Sequence, residues 1–275
     1  PIQQKAIPPV LAGRDLVGCA QTGTGKTAAF ALPILQRLCA QPLGLGKRPI
    51  RALVLTPTRE LAIQILESFQ AYGRHTRLRC SVLFGGVSQN PQVEALARGV
   101  DILIATPGRL NDLIGQGYVH LDDVQTFVLD EADRMLDMGF FKDVTRIIDK
   151  VKNRKNLGLF SATISQEVMT VSWMYQRDEV EITVEPKQED RPDIDQFSIT
   201  CTPLEKAETS LRLIRSQGYE RVMIFCNTKH MCQRLCDEFQ RAGLDCDCIH
   251  GDIRQSQREK TMQRYRDGKL AVLIA

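Results

Sequence analysis

Along the first two thirds of the chain, short and almost uninterrupted apolar runs alternate with longer segments of helical spacing. The runs are DLVGCA (15–20), RALVLTPT (51–58), CSVLFGG (80–86), DILIATP (101–107), TFVLDEAD (126–133), LGLFSAT (157–163) and VEITV (180–184). A strand with one face in water alternates apolar and polar residues. A strand that is apolar at nearly every position is buried on both faces, as in a parallel sheet. Between the runs, GKTAAFALPILQRL (25–38), RELAIQILESFQAYG (59–73) and PQVEALARG (91–99) read as helices. Strand and helix in alternation predict an α/β domain built on a parallel sheet.

The pattern breaks at EPKQEDRPDID (185–195), which is polar, charged and holds two prolines. This reads as a linker. The alternation then restarts. QFSITC (196–201), RVMIFCNT (221–228), DCDCIHGD (245–252) and LAVLIA (270–275) are the strand candidates. Helical segments at 204–218, 229–243 and 255–268 lie between them. The expectation is two α/β domains, 1–184 and 196–275, the second with about four strands and incomplete at its C-terminus.

Composition narrows this reading without redirecting it. The chain has 275 residues, 43% hydrophobic and 25% charged, which fits ordinary globular domains. A net charge of +3 neither demands nor excludes nucleic acid, so any polyanion contact must come from local Arg and Lys placement. No apolar run approaches the roughly 20 residues that span a bilayer. Nine scattered cysteines, an odd number, point to reduced thiols in a cytoplasmic protein. Cys226, His230, Cys232, Cys236, Cys246, Cys248 and His250 lie close in sequence but contain no C-x-x-C pair. Cys232 and Cys236 fall on the apolar helix face of Leu235 and Phe239, where Cys packs as a small hydrophobe.

The candidate chemistry starts at CAQTGTGKTAAF (19–30). It has the spacing of the phosphate loop G-x-x-x-x-G-K-[ST], with Ala20 at the first glycine. Gly23 and Gly25 allow positive φ and close backbone approach, so the N–H groups of residues 20–27 can face phosphate oxygens. The helix after Lys26 adds its positive dipole end. Lys26 supplies a point charge and Thr27 a hydroxyl for Mg²⁺. A methyl group at Ala20 is tolerated at a strand exit if φ is negative. Such a loop needs a carboxylate at a strand end, and TFVLDEAD supplies Asp130, with Glu131 as a candidate general base. Taken alone, this stretch also suits a solvated acidic helix start.

AQTGTGKT (20–27), PTRELA (57–62), TPGRL (106–110), DEAD (130–133) and SAT (161–163) occur in this order, followed by IFCNT (224–228) and HGDIRQSQRE (250–259). Together they resemble the DEAD-box family of ATP-dependent RNA helicases, in whose loop Ala at the first position is usual. The resemblance implies two RecA-like domains, ATP and Mg²⁺ as ligands, and hydrolysis coupled to RNA. It assigns ATP to Gln3 and to Ala20, Gln21, Thr22, Gly23, Thr24, Gly25, Lys26 and Thr27, with Gln3 reading adenine. Thr27 and Asp130 would hold the metal, partly through water. Asp133, Ser161 and Thr163 would couple the nucleotide to RNA.

RNA backbone contacts fall on Pro57, Thr58, Arg59, Gly85, Gly86, Thr106 and Arg109, and in the second half on Asn227, Thr228, Gly251, Gln255 and Arg258. None of these suggests base reading, so little sequence preference is expected. PTRE and TPGR also suit helix starts, with Thr as N-cap and Pro at N1. The motifs are equally those of an ATP-gated RNA clamp that does not unwind, and a DNA helicase is a further alternative. The family's T-D-x-x-x-R-G and H-R-x-G-R-x-x-R motifs are absent, the latter carrying the arginine fingers. The expectation is therefore a chain that binds ATP weakly, turns it over slowly at best and does not unwind RNA; a monomer is expected.

Overall fold

The computed structural model describes residues 1–42, 48–185 and 194–275. These form two compact units, Pro1–Pro192 and Asp193–Ala275. Of the expected linker at 185–195, residues 186–193 lie outside the described residues.

The first unit runs α1 (Ile2–Leu11), β1 (Leu16–Ala20), α2 (Lys26–Ala40), β2 (Ala52–Leu55), α3 (Arg59–Tyr72), β3 (Cys80–Leu83), α4 (Asn90–Ala97) and β4 (Ile102–Ala105). It continues with α5 (Pro107–Gly115), β5 (Thr126–Asp130), α6 (Ala132–Asp137), α7 (Phe141–Lys150), β6 (Asn156–Ser161), α8 (Gln166–Tyr175) and β7 (Val180–Val184). The strands form one seven-stranded sheet in the order β3-β4-β2-β5-β6-β1-β7, every pair parallel.

Apolar residues cover both faces. Leu53 and Leu55 of β2 join Leu103, Phe127, Leu129 and Leu159 in one core. Ala52 and Val54, one position out of phase, join Ile102, Ile104, Val128 and Phe160 in the other, together with Phe30 and Phe69. That double burial is why the strands read as continuous apolar runs rather than as alternations.

Side-chain size sets one pairing. Gly18 is in register with Phe160, and a Cβ at Gly18 would lie 3.1 Å from the Phe160 ring. The missing side chain makes room for that ring, which packs tilted against Phe30 with ring centres 5.2 Å apart. Helix α1 was not foreseen in PIQQKAIP. Pro8 and Pro9 lie inside it, and neither has an N–H to donate to the preceding turn. Ile2, Ala6 and Val10, spaced by four, bury one face against the core that holds Phe30.

The second unit runs α9 (Lys206–Gln217), β8 (Val222–Ile224), α10 (Lys229–Arg241), β9 (Cys246–Cys248), α11 (Gln255–Arg266) and β10 (Val272–Ile274). Its parallel sheet has three strands in the order β8-β10-β9. The expected strand at QFSITC does not form. No strand among the described residues pairs with 196–201, and Phe197 is 86% exposed. β-propensity without a neighbouring ladder does not make a strand.

Candidate active site

The phosphate loop lies where its spacing predicts. Ala20 closes β1 and is buried, with no positive φ, so its methyl group is accommodated. Gly23 and Gly25 take φ of 81° and 88°. Thr24 Oγ1 donates to the Gln21 carbonyl at 2.7 Å and tightens the turn. Lys26 begins α2. Its side chain is buried, and Nζ has no hydrogen-bond partner among the described residues. Gln3 arrives from α1, and its Nε2 donates to the Gly25 carbonyl at 3.3 Å. A Cβ at Gly25 would stand 2.3 Å from that nitrogen, the end of a flexible side chain that would have to shift, and φ 88° is what calls for glycine there.

Strand order brings the acidic stretch to this loop. β5, β6 and β1 are neighbours, so their carboxyl ends meet on one edge. Asp130 ends β5 and is buried, and its Oδ1 has no hydrogen-bond partner among the described residues. Burial pushes its carboxyl up to about 6, against the opposing pull of the Lys26 charge. Glu131 follows with φ 50° and ψ 50°, a left-handed conformation rare outside glycine. Its carboxylate lies 3.4 Å from the Arg134 guanidinium.

Asp133 is held by the segment after β6. Its N–H donates to Ser161 Oγ at 3.2 Å. Its Oδ2 accepts the Thr163 N–H at 2.8 Å and the Thr163 hydroxyl at 2.7 Å. Burial alone would raise this carboxyl, but the bonds from Thr163, Ser161 and the Arg134 N–H outweigh it and hold the group below the usual range. Ser161 is fully buried. Cys19, which the motifs did not single out, joins the group because its thiol donates to the Ala162 carbonyl at 3.3 Å.

The first-unit residues expected to meet RNA gather at the carboxyl ends of β2, β4 and β3, the other half of the same edge. Thr58 caps α3 by accepting the Leu61 N–H at 3.3 Å. Pro57 precedes that cap instead of filling N1. Thr106 occupies the N-cap of α5 with Pro107 after it, but its hydroxyl makes no cap bond. Arg59 lies over the Phe84 ring, 4.6 Å from its centre. Arg109 Nη2 donates to the Val87 carbonyl at 3.0 Å.

Gly85 and Gly86 stand in open space, Gly86 with φ 77°. Sequence reasoning missed Phe84 and Gln92. The Gln92 side chain accepts the Phe84 N–H at 3.1 Å and donates to the Phe84 carbonyl at 3.2 Å, which fixes the glycine loop. A glutamine in the first turn of a helix carries no sequence signal for that role.

In the second unit, Thr228 caps α10 by accepting the Met231 N–H at 3.2 Å, with Asn227 just before it. Gln255 opens α11 and accepts from Arg258 Nη1 at 3.0 Å, and Gly251 is open. These residues follow β8 and β9 at the carboxyl ends of that unit's strands. Cys232, Cys236, Cys246 and Cys248 lie buried in its apolar core. Burial pushes Cys236 and Cys248 up to about 12. Cys236, Asp247 and Cys248 approach one another within 4.8 Å. Asp247 Oδ2, however, already accepts from Thr261 and Arg264, each at 3.0 Å. The thiols therefore act as core side chains.

A glycine loop between strand and helix, a buried lysine at the helix start and a buried carboxylate on a nearby strand end define a phosphate-binding-loop α/β protein. The DEAD/DEAH box helicase family matches residues 1–171, and the helicase conserved C-terminal domain matches residues 205–275. The chain belongs to the DEAD/DEAH box helicase family. It is 38% identical over 276 residues to the ATP-dependent RNA helicase DeaD of Escherichia coli, covering all of this chain and 43% of that protein. It is 36% identical to the DEAD-box ATP-dependent RNA helicase CshA of Bacillus cereus, over all of this chain and 51% of that protein. The chain thus spans about half the length of these relatives.

Among solved structures, a DEAD box protein from Methanococcus jannaschii aligns over the whole chain and 72% of its own, at 35% identity and TM-score 0.63. The yeast DEAD-box splicing factor Prp28 aligns over the whole chain and 65% of its own, at 32% identity and TM-score 0.62. No helix among the described residues is long and apolar enough to cross a membrane.

Proposed function

We propose that the chain carries the nucleotide site of an RNA-dependent ATPase, with Gln3 and residues 20–27 binding ATP and the ends of β2, β3 and β4 gripping RNA backbone. The observation that carries this reading is a pair of orphaned buried polar atoms, Lys26 Nζ and Asp130 Oδ1. A buried donor or acceptor left unmade costs roughly 1–3 kcal/mol, and more when it is charged. A triphosphate with its cation satisfies both atoms. Mg²⁺ fits the hard oxygen donors of Asp130 and Thr27, and when bound it offsets charge on the β- and γ-phosphates.

Within this reading Lys26 meets the phosphates and Glu131 accepts a proton from the attacking water. The water oxygen bonds to the γ-phosphorus as the bond to the bridging oxygen breaks, leaving ADP and phosphate. Asp133, tied to Ser161 and Thr163, relates the γ-phosphate side of the loop to the segment leaving β6. Thr58, Arg59, Thr106 and Arg109 supply hydroxyl and guanidinium donors for phosphates, and Gly85 and Gly86 let backbone come close. Asn227, Thr228, Gly251, Gln255 and Arg258 offer RNA backbone contacts of their own on a second domain at 196–275. Local duplex opening belongs to the same proposal.

The test is RNA-stimulated ATP hydrolysis by wild type and Glu131→Gln. Loss of a general base lowers kcat by about 10²–10⁴-fold, with ATP binding retained. Unchanged turnover refutes the base assignment. Stronger stimulation by RNA than by DNA of the same sequence is expected from contacts to 2′-hydroxyls.

A further inference from the structure

The edge of the seven-stranded sheet opposite Lys26 and Asp130 has chemistry of its own. Loops 12–15, 151–155 and 176–179 enter β1, β6 and β7, which are adjacent and parallel, so the three loops meet. They enclose a cleft of about 360 Å³. Arg14, Lys152, Arg154, Lys155 and Arg177 line it, against two carboxylates, Asp15 and Asp178.

Both carboxylates are already engaged. Asp15 is buried and accepts the backbone N–H of Leu157 at 2.6 Å and of Arg177 at 2.7 Å, which ties the entry to β1 to the start of β6 and the loop before β7. Asp178 accepts from Arg14 Nη2 at 2.9 Å. Arg154 donates to the Tyr175 carbonyl and lies over the Tyr175 ring. Asn153 Nδ2 donates to the Asp122 carbonyl at 2.7 Å and braces the basic loop from the other side. Lys152, Lys155 and Arg177 form no ion pair among the described residues. Like charges gathered on neighbouring loops repel one another and draw an anion into the cleft.

We propose that this cleft binds a short run of phosphate groups, at a site separate from the nucleotide loop. The side chains have the right chemistry. Arginine and lysine are the residues of phosphate recognition, and the rigid Asp15 anchor holds their loops in place. The lining offers little apolar wall for a nucleobase, so the phosphates themselves are the recognised group. They can come from RNA backbone or from a free polyphosphate.

The experiment titrates inorganic tripolyphosphate into a Lys26→Ala chain, in which the nucleotide loop is disabled. Binding is expected to persist there. It should weaken about tenfold when Lys152→Ala, Lys155→Ala and Arg177→Ala are added, since each exposed cation contributes a fraction of a tenfold step. A melting curve checks that the triple variant folds, and Lys155→Glu alone must weaken binding in the same direction. Tripolyphosphate binding abolished by Lys26→Ala, or untouched by the triple change, overturns the proposal. Single-stranded RNA binding measured against salt then separates the sources. A log–log slope reduced by about 2 in the triple variant assigns RNA backbone. An unchanged slope with tripolyphosphate binding lost assigns free polyphosphate.

Discussion

Glu131 keeps a left-handed backbone, φ 50°, at the end of a fully buried strand. For a residue with a Cβ this costs on the order of 1–2 kcal/mol. Such strain persists where surrounding structure enforces it, and it gathers at functional sites. Glu131→Gly is therefore expected to raise stability by about 1 kcal/mol in thermal unfolding while removing turnover. A fall in melting temperature would show that the conformation is not strained. Gly25 is the converse case. Gly25→Ala forces a Cβ to within 2.3 Å of Gln3 Nε2 at φ 88°. It should destabilise by about 2 kcal/mol, and Gln3→Ala in the same chain should restore only the steric share.

At the scale of elements, buried aspartates join strands at their amino ends. Asp101 lies just before β4 and is fully buried, and its carboxylate accepts from Arg51 and Arg48, each at 2.7 Å, and from the Arg79 N–H at 2.9 Å. It thereby ties the start of β4 to those of β2 and β3. Burial alone would raise its carboxyl, but these donors outweigh that and hold it below the usual range. A carboxyl lowered on folding contributes stability above its unfolded value, about pH 4, and the contribution is lost as pH falls below that. Asp101→Asn strands the Arg51 charge and is expected to cost about 3–5 kcal/mol in denaturant unfolding at neutral pH. That cost should shrink in acid. A difference between the two chains that does not change with pH would refute the charge argument. The helix starts are milder features, and Thr58→Ala should cost about 1 kcal/mol.

At the scale of the molecule, one sheet edge carries both halves of the proposed activity, nucleotide groups at β5, β6 and β1 and RNA groups at β2, β4 and β3. Thr163→Val removes one of the two Thr163 donors to Asp133 and leaves the loop intact. It should spare basal ATP hydrolysis and lower RNA stimulation about tenfold, within the usual range of coupling between sites. Equal loss of both rates would place Thr163 in the chemistry itself. Read in sequence alone, the apolar runs specify strands buried on both faces, and contiguous motifs specify the loop, its lysine and its acidic partner, because those features depend on neighbours in the chain. Strand order is a different matter. The five inner strands are similarly apolar and buried, and periodicity does not say which lie side by side. Only the tertiary structure put β6 between β5 and β1, so that Asp133 meets Ser161 and Thr163. It also left QFSITC without a ladder, turned Glu131 into the left-handed region, and gathered the cations of three separate loops into one cleft. Each of these depends on residues far apart in sequence that a folded sheet makes adjacent.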